Sequence, residues 1–300
     1  MIYELKENEY ERVSNLFKDL SYNLTVDAII EGNRPGKIYV DNMADPKTAF
    51  AWAKSSEYAL VGSQKNDAFN LSLQRLIAEK ITPEIKKHNI TFSVLFYYPD
   101  IWNEKIDIVL RNFAARKSFR WRFTFRKLKV SWKDRVPWGY HIERIDEKLF
   151  KAASLRNVDR INDLVVFKWG SIDDFLREGF GFYLVNENNI VSWCISGNNC
   201  KNKCEITIGT HEKTRNRGFA TLVASAFVEY CISEDITPIW HCGIENLSSI
   251  AVAEKVGFQK SLTYPVFTWE PKKPSHSCWL LKNKPKMIFS SIVKVFRDLS

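Results

Sequence analysis

Cys204 to Ala220 (CEITIGTHEKTRNRGFA) is the stretch that most narrows what this chain can fold into. Glu205, Ile206 and Ile208 predict a short strand, and residues 210–214 a polar loop. Arg215-Asn216-Arg217-Gly218-Phe219-Ala220 then opens an apolar run with helical spacing. A strand turning through a basic, glycine-containing loop into a helix is a cradle for phosphate. Free backbone N–H groups and the positive end of the helix dipole converge there. A basic loop before an ordinary helix has the same spacing, so the motif alone leaves both readings open.

The rest of the chain supports a large core. Ten Trp, eleven Tyr and twenty Phe stand within an apolar fraction of 45% over 300 residues, which argues against general disorder. No apolar run reaches the roughly 20 residues that span a bilayer, and the opening MIYELKENEYERV is too polar for a signal peptide. A cytoplasmic location with reduced thiols is therefore expected for Cys194, Cys200, Cys204, Cys231, Cys242 and Cys278. Cys194, Cys200 and Cys204 lack a C-x2-C pair, so no metal is expected. The net charge of +9 is uneven: residues 111–133 hold nine Lys or Arg and no acid, and residues 271–300 hold seven against Asp298. A nucleic-acid role for the basic stretch finds no accompanying reader motif, and a solvated basic face is the plainer reading.

In the first half, Leu5, Tyr10, Val13, Phe17 and Leu20 predict a helix, and residues 22–31 a shorter one. Residues 37–41 and 58–62 predict strands, separated by a helical or irregular piece containing Phe50 and Trp52. A helix is predicted over 70–88 with a kink or break at Pro83, a strand over 91–98 and a helix over 102–113. In residues 118–127, Phe119, Trp121, Phe123 and Phe125 alternate with Arg120, Arg122, Thr124 and Arg126. That is a half-buried strand whose basic face is expected in solvent. The nearest thing to a phosphate loop here is Gly62-Ser63-Gln64-Lys65-Asn66.

The second half predicts a strand over 140–146, then helical structure to Gly179 interrupted at Trp169-Gly170-Ser171. A hairpin follows, 181–185 with 190–196, then a turn over 197–203 and a strand over 204–208. The candidate cradle leads into a helix to Ile232, then a strand over 237–242 and a helix from Asn246 to Gly257. Residues 259–269 supply the last strand, broken at Pro265. The tail from Pro274 sets apolar residues among lysines, which allows an amphipathic helix docking on a partner, a membrane surface or, as the default, its own chain.

Two stretches in that order carry a resemblance. Arg215-x-x-Gly218-x-Ala220 looks like the Arg/Gln-x-x-Gly-x-Gly/Ala pyrophosphate motif of the GNAT superfamily of acyl-CoA-dependent N-acetyltransferases. Asn246-Leu-Ser-Ser249, continued to Gly257-Phe258, is similar to its Asn-x-x-(Ser/Ala)-x-x-x-Tyr-x-x-x-Gly-Phe motif. Either alone is weak; both, on the predicted elements, are specific together. The match covers roughly 140–269. It implies an α/β (α+β) fold, with a mixed, mostly antiparallel sheet flanked by helices, and two GNAT-like halves in tandem. The expected organisation is a degenerate GNAT-like domain over 1–130, a linker over 131–139, an acetyltransferase domain over 140–270 and a basic tail over 271–300.

The resemblance also implies a ligand and a reaction. Acetyl-CoA would be held by Arg215, Asn216, Arg217, Gly218, Phe219 and Ala220, flanked by Ile208, Gly209, Thr210 and Thr221. Asn246 and Ser249 would contact the pantetheine or phosphate region, although both residue types also cap helices. Acetyl transfer needs a neutral amine, so a proton must leave an ammonium whose pKa is about 10 in water. Glu205 is the first candidate to take it and His241 the second. Where many family members carry a Tyr that protonates the leaving thiolate, this chain has Ala253, and Tyr264 is the nearest phenol. The expected function is N-acetyl transfer from acetyl-CoA to an amine of a small molecule or peptide, with a homodimer allowed and no nucleic acid. A non-catalytic acyl-CoA-binding protein of the same fold is the alternative.

Overall fold

The computed structural model describes residues 1–87, 92–152 and 154–271. The predicted tail helix and the His88 end of the predicted 70–88 helix lie outside the described residues. These divide into two compact units, residues 1–119 with 265–271 and residues 120–264. No helix among the described residues is long and apolar enough to cross a membrane.

The first unit is built on a sheet of β1 (Tyr3–Glu4), β2 (Lys37–Val40), β3 (Thr48–Trp52), β4 (Glu57–Gly62) and β5 (Ser93–Tyr98). Successive strands pair antiparallel up to β4, and β4 with β5 pairs parallel from Glu57↔Val94 to Val61↔Tyr98. The first predicted helix is a 3-10 helix, Glu7–Leu20, that buries Tyr10, Val13, Phe17 and Leu20. The piece containing Phe50 and Trp52 is the strand β3, not helical or irregular. All five of its residues are buried, so it lacks the polar alternation that marks a half-exposed strand. The helical run changes type just before Pro83. Helix Asp67–Arg75 widens into a π-turn over Leu76–Ile81 before Thr82–Lys87, and Thr82 Oγ1 donates to the Ile77 carbonyl at 2.7 Å. The predicted helix 102–113 is reduced to a 3-10 turn, Asp100–Glu104, and a single α-turn, Ile106–Val109.

β6 (Arg116–Phe125) gives residues to both units. The second unit continues with β7 (Tyr140–Arg144), β8 (Gly181–Asn186), β9 (Asn189–Cys200), β10 (Lys203–Thr210), β11 (Thr237–Gly243) and β12 (Phe258–Trp269). β7 to β10 form an antiparallel meander, β10 and β11 pair parallel, and β11 pairs antiparallel with β6. β9 and β10 run longer than predicted: Lys201, at φ 50°, and Asn202 make a tight turn where a loop over 197–203 is expected. β12 also runs through Pro265, and its pairing with β5 starts one residue later, at Val266.

Two layers of helix cover this sheet. Helices α1 (Val158–Trp169) and α2 (Ile172–Glu178) bury Ile161, Val165, Trp169 and Phe175 against Tyr183, Trp193 and Ile195. Helices α3 (Phe219–Ser233) and α4 (Leu247–Val256) bury Val223, Phe227, Ala253 and Val256 against Cys194, Cys204, Ile206, Trp240 and Phe123. The split follows strand parity: Cys194, Cys204, Ile206 and Trp240 face α3 and α4. Glu205 and His241, one residue along, face the other way.

Candidate active site

The site begins where a pairing stops. β10 and β11 lie opposite one another at Lys203↔Thr237, Cys204↔Pro238 and Glu205↔Ile239, and no further. β10 runs on to Thr210 and β11 to Gly243, so the strands splay beyond Glu205. A register shift against β9 falls at Glu205/Ile206, opposite Gly197, where a Cβ would strike Thr207 Oγ1. This bulge turns β10 away from its parallel neighbour. Past the vertex, β10 has no ladder partner on the β11 side, which leaves room for an extended, amide-bearing ligand. In the first unit the corresponding parallel seam, β4 with β5, stays paired at every position through Val61↔Tyr98.

At the vertex the structure brings together the three predicted proton-handling residues. Glu205 is buried, its Oε2 accepts from Asn198 Nδ2 at 2.7 Å, and its Oε1 lies 3.4 Å from His241 Nε2. His241 Nδ1 is 2.9 Å from the hydroxyl of Tyr264, which is also buried. The side chains of Glu205 and His241 are only 10% and 6% exposed, so the carboxylate acts in a low-dielectric setting. Nε2 of the imidazole faces Glu205 and Nδ1 faces the Tyr264 hydroxyl, and the tautomer decides which of Nδ1 and the phenol donates.

The loop beyond β10 meets the requirements of an anion cradle. Gly218, at φ +81°, caps α3 without a side-chain hydrogen bond, and the first turn of α3 contains no acidic residue. A Cβ on Gly218 would meet nothing within 4 Å, so the space above the first-turn amides is open to a ligand. Arg217 is exposed, and Arg215 folds back, with Nε 3.4 Å from the Thr210 carbonyl. Phe219 is buried against Tyr140, ring centroids 4.9 Å apart, which pins the helix and leaves only its backbone to face the cradle. Ala220 and Thr221 are half-buried behind it. The loop after β4 has the opposite character: Asn66 Oδ1 caps the next helix at Phe69 N, 3.0 Å, and Asp67 stands in its first turn.

The remaining predicted contacts have visible structural duties. Gly209 makes room for Trp193, whose indole would lie 2.6 Å from a Cβ there, and Thr210 Oγ1 is 2.9 Å from Ser192 Oγ. Ile208 is half-buried beside the α3–α4 core. Asn246 is the N-cap of α4, accepting from Ser249 N at 3.0 Å. Ser249 is buried, accepts from Trp240 Nε1 at 2.9 Å and is hydrogen-bonded to the Cys242 thiol. Ala253 is completely buried and its methyl packs into the core. Asn198 escapes sequence reasoning: its link to Glu205 depends on the β9–β10 register.

Arg120 and Arg122 correct another expectation. They are half-buried, not on a solvent face, and in register they oppose Gly243 and His241. Trp121, Phe123 and Phe125 pack on the α3–α4 core as predicted, whereas Phe119 is 40% exposed.

With this geometry in view, similarity to other proteins places the chain. A sequence profile described as GNAT acetyltransferase matches residues 14–267. An "uncharacterized N-acetyltransferase YdfB" of Bacillus subtilis is 28% identical over 267 residues, 89% of this chain and 98% of that protein. A GCN5-related N-acetyltransferase-like protein from Streptococcus suis shares the fold at TM-score 0.68 and 22% identity, over 87% of this chain and 98% of that one. A tandem GNAT protein from the clavulanic acid biosynthesis pathway superposes at TM-score 0.54 and 12% identity, over 91% of this chain and 99% of that one. A profile match running through both units, together with a splayed parallel pair leading into a basic helix start, has one reading: the chain belongs to the GNAT acetyltransferase family.

Proposed function

We propose that this enzyme transfers the acetyl group of acetyl-CoA to an amine, with Glu205 accepting the amine proton. The observation that carries this is the position of Glu205: a buried carboxylate at the vertex of the β10–β11 splay, in contact with His241 and Asn198. Acetyl-CoA supplies an activated acyl carbon on a thioester. The uncapped first turn of α3, with Arg215 and Arg217, would hold its pyrophosphate, and the unpaired edge of β10 from Ile208 to Thr210 its amide-bearing arm.

This chain's own groups do the following. Glu205 Oε1 takes a proton from the ammonium, and Asn198 keeps the carboxylate turned toward the cleft. His241 stands between Glu205 and Tyr264: with its hydrogen on Nδ1, its Nε2 can take the proton gained at Glu205 as Nδ1 passes its own to the Tyr264 oxygen, and Tyr264 gives its hydroxyl proton to the departing thiolate. Ala253 is sealed in the core, and Tyr264 puts a phenol in reach of the same cleft face. That supports turnover over acyl-CoA binding alone.

Calorimetry with acetyl-CoA tests the binding half of this reading, and release of free thiol across a panel of amines tests the chemistry. No binding at high micromolar acetyl-CoA would overturn both.

A further inference from the structure

The proposed chemistry uses Glu205, His241 and Tyr264 but leaves the arginines of β6 unexplained. Arg122 is directly opposite His241 in the antiparallel β6–β11 pair, so the two side chains leave the sheet on the same face. Directly opposed residues have Cβ atoms about 4.5–5.5 Å apart. Neighbouring Trp121 and Phe123 fix this parity by packing on the α3–α4 core. Arg122 is half-buried, and its Nε is fully shielded without a hydrogen-bond partner among the described residues. A guanidinium withdrawn from solvent carries a desolvation cost that a fixed anion would offset. Arg120, two residues along the strand, points to the same face and adds to the positive field.

We propose that the amine acceptor carries a carboxylate and that Arg122 binds it, so that the substrates are amino-acid-like zwitterions. The proposal rests on the transferase reading above and deepens it. Glu205 and Arg122 stand on either side of His241 on one face and offer opposite charges. An ammonium at Glu205 and a carboxylate at Arg122 match them in the same order. The two Nη groups at the end of the planar guanidinium fit a carboxylate bidentately. A doubly charged phosphate would meet stronger repulsion from Glu205 on the same face. The carboxylate and the reacting nitrogen then lie within a few bonds of each other, as in α- or β-amino acids.

The test compares each standard L-amino acid with its own carboxamide in the thiol-release assay. The wild type is expected to favour the acid by ~10–100-fold in kcat/KM, the worth of one charge-assisted hydrogen-bonded pair. Arg122→Gln should remove that preference through KM of the acid, leaving the KM for acetyl-CoA unchanged. Arg122→Lys should restore part of it, and Arg126→Gln, exposed just past the end of the same strand, should change nothing. Equal turnover of acids and carboxamides, acetylation only of amines without a carboxylate, or an Arg122→Gln enzyme that keeps its preference would each overturn the inference and leave the transferase reading standing. No turnover of any amine would overturn both.

Discussion

Glu205 and Ile239 are the last residues that β10 and β11 hold opposite one another. The position decides the chemistry available to the site. One residue earlier, the side chain at 204 is in the core under α3 and α4; at 205 a carboxylate stands on the other face, where the seam opens.

Glu205→Gln keeps the Asn198 contact in shape but removes the base. We expect kcat to fall by ~100- to 10,000-fold, with the acetyl-CoA dissociation constant from calorimetry changed less than about twofold. Equal loss of both would show that Glu205 acts on the fold instead of the proton.

Tyr264→Phe removes the hydroxyl that lies 2.9 Å from His241 Nδ1. The imidazole then loses its hydrogen-bond partner at Nδ1. We expect kcat to drop ~10-fold or more, with a stability loss of about 1–2 kcal/mol in urea titration. Unchanged kcat would assign the phenol a packing role only.

Gly218→Ala places a methyl group in the open space over the α3 amides, on a backbone at φ +81°. The left-handed conformation costs a non-glycine residue about 1–2 kcal/mol. The KM for acetyl-CoA should rise by more than that strain explains, because the methyl occupies the cradle. Crystallography with bound CoA would check the displacement.

Ser249→Ala takes the acceptor away from Trp240 Nε1 in a buried setting. The expected loss is about 1–3 kcal/mol of stability, with the KM for acetyl-CoA unchanged. A raised KM at unchanged stability would instead make Ser249 a ligand contact.

Burial pushes the thiols of Cys194 and Cys204 well above the ordinary range, so the folded state keeps protons that the unfolded chain releases. That contribution to stability is complete below the unfolded thiol pKa, about 8.5, and is lost as pH rises beyond it. Denaturant titrations between pH 7.5 and 9.5 should show stability falling by up to about 1.4 kcal/mol per pH unit for each such thiol. Cys194→Ala should flatten the slope, and neither cysteine should alkylate in the native protein.

What the sequence determined by itself was local. Periodicity located elements that bury one face and expose the other, as Tyr10, Val13, Phe17 and Leu20 do in the first helix, while α3, buried continuously from Leu222 to Val228, showed itself as an apolar run. Gly218 and the arginines beside it marked the helix start, since a left-handed cap and an anion-facing turn demand those residue types. Where an element is buried on both faces, as in β3, that signal vanished. Tertiary structure alone decided which residues meet. Asn198 reaches Glu205 through a bulge that no local pattern encodes, and Tyr264 reaches His241 across 23 residues of sequence. Arg122, more than a hundred residues before His241, joins it because β6 pairs with β11. Strand pairing is a long-range choice made by the whole sheet, and it half-buried Arg120 and Arg122, expected in solvent, opposite Gly243 and His241.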